Sequence, residues 1–128
     1  MIPTSTGAAK VIGEIIPHLA GKIDGVAVRV PVQNVSMIDL TFTCSHKTNV
    51  ESINQIMVEA SKKQPKIIAI NDQPLVSIDF NHNSASAIFD LTQTKVVNNL
   101  YRVVAWYDNE WGFANRMLDL AEIIFNSK

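Results

Sequence analysis

The 128 residues are 47% apolar and 18% charged, and 11 Lys and Arg nearly cancel 12 Asp and Glu for a formal net charge of -1. That balance excludes disordered, collagen-like and low-complexity chains, and no stretch forms the basic stripe that would bind nucleic acid. A single domain is expected, long enough to bury roughly two-thirds of its unfolded surface without a disulfide or metal staple.

From the N-terminus, Gly7 to Leu19 sets Ala8, Val11, Ile12, Ile15, Ile16 and Leu19 at helical spacing, with Thr4, Ser5 or Thr6 as its cap. The opening residues lack the basic region of a signal peptide, and no apolar run approaches the ~20 residues that span a bilayer. Val26 to Val32, valine-rich and carrying Arg29, reads as a strand, as does Ser36 to Thr43. Thr48-Asn49-Val50-Glu51 has capping-box spacing, with Thr48 as cap, and opens a helix that closes at Ser61 to Pro65.

Strands are then expected at Ile67 to Ile70, Leu75 to Phe80, Ala87 to Thr92 and Leu100 to Tyr107. The Asn-, Asp- and Pro-rich stretches between them are turn chemistry, and such short connections favour antiparallel pairing. A last amphipathic helix runs from about Gly112 to Ile124. The predicted architecture is an α+β fold, a mixed and largely antiparallel sheet with about three helices on one face.

Thr4-Ser5-Thr6-Gly7 places hydroxyls and a glycine before a helix, where free N–H groups and the positive dipole end suit a phosphate; a plain N-cap explains the same residues. Arg29 in its valine-rich strand needs either an anion or a solvent-facing position. Thr6 and Arg29 together would converge a helix mouth and a bidentate donor on one phosphate. At the strand-to-helix junction Trp106 to Gly112, Asn109 could recognise an amide, or Asp108 or Asn109 could cap the helix while both tryptophans fill core.

Cys44 is the lone cysteine and cannot form an intramolecular bridge or a thiolate metal cluster, which fits a reducing, cytoplasmic setting. It reads as a structural thiol, and His18 and His82 as loop or surface histidines, so no catalytic or metal-binding set is expected.

Four stretches carry a resemblance: Ile2-Pro-Thr-Ser-Thr-Gly-Ala-Ala-Lys10, Val28-Arg-Val-Pro-Val-Gln-Asn-Val-Ser-Met-Ile-Asp-Leu40, Leu75-Val-Ser-Ile-Asp-Phe80 and Trp106-Tyr-Asp-Asn-Glu-Trp-Gly112. In order and spacing they resemble the C-terminal half of the glyceraldehyde-3-phosphate dehydrogenase family, whose erythrose-4-phosphate dehydrogenases share the framework. The resemblance implies NAD as cofactor, a sugar phosphate and inorganic phosphate as ligands, and a cytoplasmic homotetramer. It implies phosphate contacts from Thr6, Gly7 and Arg29, and a nicotinamide carboxamide contact from Asn109. The family's frequent tyrosine four residues after that asparagine is Phe113 here.

The family's nucleophilic cysteine, in Ser-Cys-Thr-Thr-Asn, and its histidine base precede the Thr-Gly motif, as does its Rossmann domain. None of them lies in residues 1–128, and Cys44 follows the motif. The chain is therefore expected to be a substrate- and phosphate-binding domain that is inactive alone, the alternative being a non-catalytic interaction module.

Overall fold

The computed structural model describes residues 1–127, which form two compact units, Met1–Gln33 and the described residues from Asn34 onward. In the first unit a short strand β1 (Ile2–Thr4) precedes helix α1 (Ala8–Ile15), a 3₁₀ turn (Pro17–Leu19) and strand β2 (Ala27–Arg29). β1 and β2 pair antiparallel, Ile2 opposite Arg29 and Thr4 opposite Ala27. The expected helix thus ends at Ile15, because Pro17 removes an N–H donor and restarts the chain as a 3₁₀ turn. The expected strand Val26 to Val32 shortens to three residues, Pro31 being unable to donate to a ladder.

The second unit holds β3 (Ser36–Phe42), α2 (Val50–Lys63), β4 (Ile68–Asn71), β5 (Ala87–Asp90), β6 (Lys95–Val97), β7 (Leu100–Tyr107) and α3 (Asn109–Asn126). Its sheet runs β3-β7-β5-β4, with β6 also paired to β7. Among the described residues three helices accompany a mixed, largely antiparallel sheet, and the chain has the α+β fold its sequence predicts. One pairing departs from expectation: β4 and β5 are parallel, since the connection between them is long enough to cross over and carries a 3₁₀ turn.

That turn, Ser77–Phe80, replaces the strand expected over Leu75 to Phe80. The Asp79 carboxylate accepts the Val76 N–H at 2.8 Å, taking a donor that a strand would need and bending the segment back. Likewise Asp90 ends β5 early by accepting from the N–H and hydroxyl of Thr92, at 3.0 and 2.6 Å. The cap of α2 is Asn49 rather than Thr48: its Oδ1 accepts the Ser52 N–H at 2.8 Å. Thr48 instead donates its N–H to the Tyr101 hydroxyl.

Strand alternation splits the core. On one face Ile88 and Trp106 stand opposite each other, and Val35, Phe80 and Ala85 pack with them, the Phe80 and Trp106 rings stacked at 5.2 Å. On the other, fully buried Tyr101 stacks on Phe42 at 5.6 Å. Asn54 of α2 reaches the Leu91 carbonyl and the Thr94 hydroxyl beyond β5. Asp39 and Arg102 form a two-bond ion pair on the face of β3 and β7.

Candidate functional site

In the first unit, Gly7 precedes α1 and faces open space. Gly7 itself is the N-cap and no side chain makes a capping bond, so none of Thr4, Ser5 and Thr6 fills the expected role. Thr4 belongs to β1, and Thr6, one residue ahead of the cap, accepts only the Ala8 N–H through Oγ1 at 3.3 Å. The first intrahelical bond runs from Val11 N–H to the Gly7 carbonyl at 3.2 Å, which leaves the N–H groups ahead of Val11 without helical acceptors. Thr6, Gly7 and Arg29 are all exposed.

Arg29 lies at the end of β2 opposite Ile2. Pairing and alternation put Ile2, Thr4, Ala27 and Arg29 on one face of the ribbon. Thr6 lies beyond the ladder's other end, separated from the Ile2 level by roughly 13 Å of extended backbone at ~3.3 Å per residue. The register therefore sets Arg29 beside Ile2 rather than beside Thr6.

In the second unit Asn109 is the first residue of α3 and is exposed. Its neighbour Asp108, 1% exposed, does the capping: Oδ1 accepts the Trp111 N–H at 2.9 Å. Oδ2 accepts the His82 N–H at 2.9 Å and the Asn34 side-chain amide at 2.8 Å. Burial pushes the Asp108 carboxyl up, but these three bonds and the neighbouring His82 ring outweigh it and hold the group below the usual carboxylate range. Asn34 also donates to Asn81 at 2.7 Å and so pins the chain entering β3, where buried Val35 sits at φ 72°, a conformation costly for a β-branched residue.

The capping role offered for Asp108 is thus what the structure shows, which leaves the Asn109 amide free of that task. Only half of the tryptophan expectation holds. Trp106 packs against the core and donates Nε1–H to Asp90 at 2.8 Å, whereas Trp111 is 45% exposed because the first turn of α3 points it outward, against the His82 ring.

A cleft of about 240 Å³ opens beside Asn109, lined also by Ser86, Tyr107, Phe113 and Arg116. Arg116 fastens α3 beside it, donating to the Lys66 carbonyl and to Ser86 Oγ and pairing with Asp119 at 2.8 Å. Lys66 adds a 2.9 Å bond to Asp119, which holds that carboxyl below its ordinary range. Arg116 escaped the sequence reading because on a helical wheel it counts only as a polar-face residue.

Gly112 makes this attachment possible, since a Cβ there would stand 3.2 Å from the Ala85 carbonyl oxygen. Gly112→Ala should gain about 1 kcal/mol of helix propensity and lose about 1–3 to overpacking against that buried backbone. A net loss of about 1 kcal/mol is expected in urea unfolding, and a gain would show that the loop yields.

Cys44 is half-buried just past β3, and His46 makes its short contact with Ser45, at 3.1 Å. His18 lies in the 3₁₀ turn. Among the described residues no group of three His, Cys, Asp or Glu side chains could hold a metal, and no helix is long and apolar enough to cross a membrane.

The family profile described as "Glyceraldehyde 3-phosphate dehydrogenase, C-terminal domain" matches residues 1–109. A glyceraldehyde-3-phosphate dehydrogenase of Pseudomonas aeruginosa is 55% identical over 121 residues, 94% of this chain and 36% of its own length. That of Xanthobacter flavus is 57% identical over 123 residues, 94% of this chain and 37% of the relative. The chromosomal enzyme of Cupriavidus necator is 53% identical over 129 residues, 100% of this chain and 38% of the relative. The chain thus spans little more than a third of the length of these relatives.

Proposed function

Because the chain belongs to the glyceraldehyde-3-phosphate dehydrogenase family, we propose that it is the substrate- and phosphate-binding domain of an NAD-dependent phosphorylating aldehyde dehydrogenase. The complete enzyme would take glyceraldehyde 3-phosphate to 1,3-bisphosphoglycerate, as a cytoplasmic homotetramer. The observation that carries this reading is the coincidence of the matched segment with the exposed helix mouth at Thr6 and Gly7 and with the strand-borne Arg29.

In this proposal the Thr6 hydroxyl and the free N–H groups opening α1 take two oxygens of inorganic phosphate, while Arg29 extends along the ribbon to supply charge-assisted bonds. The exposed Asn109 side chain, beside a cleft and relieved of capping by Asp108, fits a carboxamide through paired donor and acceptor. NAD, when bound, would supply the hydride acceptor. Phe113 brings a ring to the cleft without a hydroxyl, so orientation there would rest on Asn109 alone.

The nucleophile and base of the family lie ahead of the Thr-Gly motif, so this chain by itself can bind and orient but cannot form a thioester. The purified 128-residue protein, given aldehyde phosphate, inorganic phosphate and NAD, should show no turnover; measurable NADH formation would refute this. Inorganic phosphate at ten times its dissociation constant should stabilise the chain by about 1.4 kcal/mol, and Arg29→Ala should remove most of that gain in a thermal melt. No phosphate effect on the unmutated chain would favour an interaction module instead.

A further inference from the structure

Asp24 is the one aspartate of the chain that is followed by glycine. It lies in the irregular segment between the 3₁₀ turn Pro17–Leu19 and β2, where its own Oδ1 accepts the Gly25 N–H at 2.8 Å. Elsewhere the carboxylates are drawn away from the next peptide unit: Asp39 to Arg102, Asp79 to the Val76 N–H, Asp90 to Thr92 and Asp119 to Lys66. The Asp24 hydrogen bond closes a loop through N, C, Cα, Cβ, Cγ and Oδ1, so it folds the carboxyl carbon back toward the Gly25 nitrogen. Glycine puts no side chain in the path of that approach, and a Cβ built there would meet nothing within 4 Å.

We propose that Asp24-Gly25 is a site of spontaneous backbone modification, at which the aspartate cyclises to a succinimide and reopens as isoaspartate. The lone pair of the Gly25 nitrogen bonds to Cγ of the protonated carboxyl, and the N–H proton leaves with the carboxyl O–H as water. Water then adds to either imide carbonyl and returns a proton to the nitrogen. Breaking the N–Cγ bond restores aspartate, whereas breaking the bond to the original backbone carbonyl leaves the chain running through Cγ. No oxidant, metal or partner enters, and the products have equal mass.

Holding the reacting atoms together is what accelerates such an intramolecular step. Isoaspartate adds a methylene to the main chain. With Val26 alone between Gly25 and β2, that extra length falls at the entry of the strand that carries Arg29. The inference stands on this one peptide unit and not on the phosphate reading, so each can fail without the other.

Incubating the purified chain at mildly acidic pH in water enriched in heavy oxygen tests it, because each ring opening leaves a label. Trypsin cuts after Lys22 and Arg29 and so releases residues 23–29. That peptide should take up label at a rate no lower than in the free synthetic peptide. It should also split into resolved isomers, one of them resistant to an aspartate-specific protease. Asp24→Asn should speed the same ring closure many-fold, with ammonia leaving in place of water, and Asp24→Glu, which would need a larger ring, should abolish it. Gly25→Ala should slow it several-fold with unchanged far-UV circular dichroism. No label in residues 23–29 overturns the inference, as does equal uptake in Asp24→Glu or a folded chain slower than the free peptide.

Discussion

Replacing Tyr101 by alanine should cost about 3–5 kcal/mol in urea or thermal unfolding, the range for deleting a buried aromatic side chain. Tyr101 has no exposed surface, stacks on Phe42 and accepts the Thr48 N–H. That bond anchors the chain just ahead of α2, so alanine leaves both a cavity and an unpaired donor. Tyr101→Phe keeps the ring and loses only the hydroxyl, for about 1 kcal/mol. Because a domain of this size holds about 5–15 kcal/mol in all, the alanine variant should be largely unfolded where the phenylalanine variant is not. Near-equal midpoints for the two would show that the ring packs less closely than its burial indicates.

Asp108→Ala should cost about 2–4 kcal/mol, combining a lost helix cap with two further donors left without an acceptor. One carboxylate ties together the start of α3, the left-handed turn at His82 (φ 58°) and Asn34, and through Asn34 the strained Val35. The pH dependence has a definite sign. Since the native carboxyl titrates below its unfolded value, its contribution is present above the unfolded pKa and disappears as pH falls through the native one. Asp108→Asn lacks that titration and sets an amide NH₂ toward the His82 and Asn34 donors. Its deficit relative to the unmutated chain should be largest at neutral pH and shrink below about pH 4. A deficit that stays constant with pH would remove the carboxylate's charge from the explanation.

Much of the second unit was legible because its signals are local. β7 runs from Leu100 to Tyr107 as its β-branched and aromatic residues imply, and β3 differs from expectation by one residue. The failures occur where a side chain competes with the backbone. Asp79 turns an alternating apolar segment into a 3₁₀ turn, and Asn49 takes the capping bond from Thr48 although both types suit that position. β1 escaped notice because Pro3 and its hydroxyl neighbours resemble a helix entry, and only pairing with β2 makes them a strand. The parallel β4–β5 pairing is a long-range event with no local mark.

At the candidate sites, residue types and junctions were readable and their supports were not. Asn109 stood out at a strand-to-helix turn, yet Arg116 and Gly112, which fix that turn against Lys66, Ser86 and Ala85, are distant in sequence from what they touch. Thr6 and Arg29 stood out as candidate anion ligands by residue type and position alone. The register that sets Arg29 beside Ile2 could be known only from the paired strands.

Whether those two residues serve one anion is decided most directly by titrating inorganic phosphate into isotopically labelled chain and following the Thr6 and Gly7 amides together with the Arg29 side-chain Nε–H. Shared binding predicts that all three resonances move with a single dissociation constant, and that Arg29→Ala abolishes the shifts at Thr6 and Gly7. Shifts at the helix mouth that persist unchanged in Arg29→Ala, or resonances that stay still throughout, would contradict it.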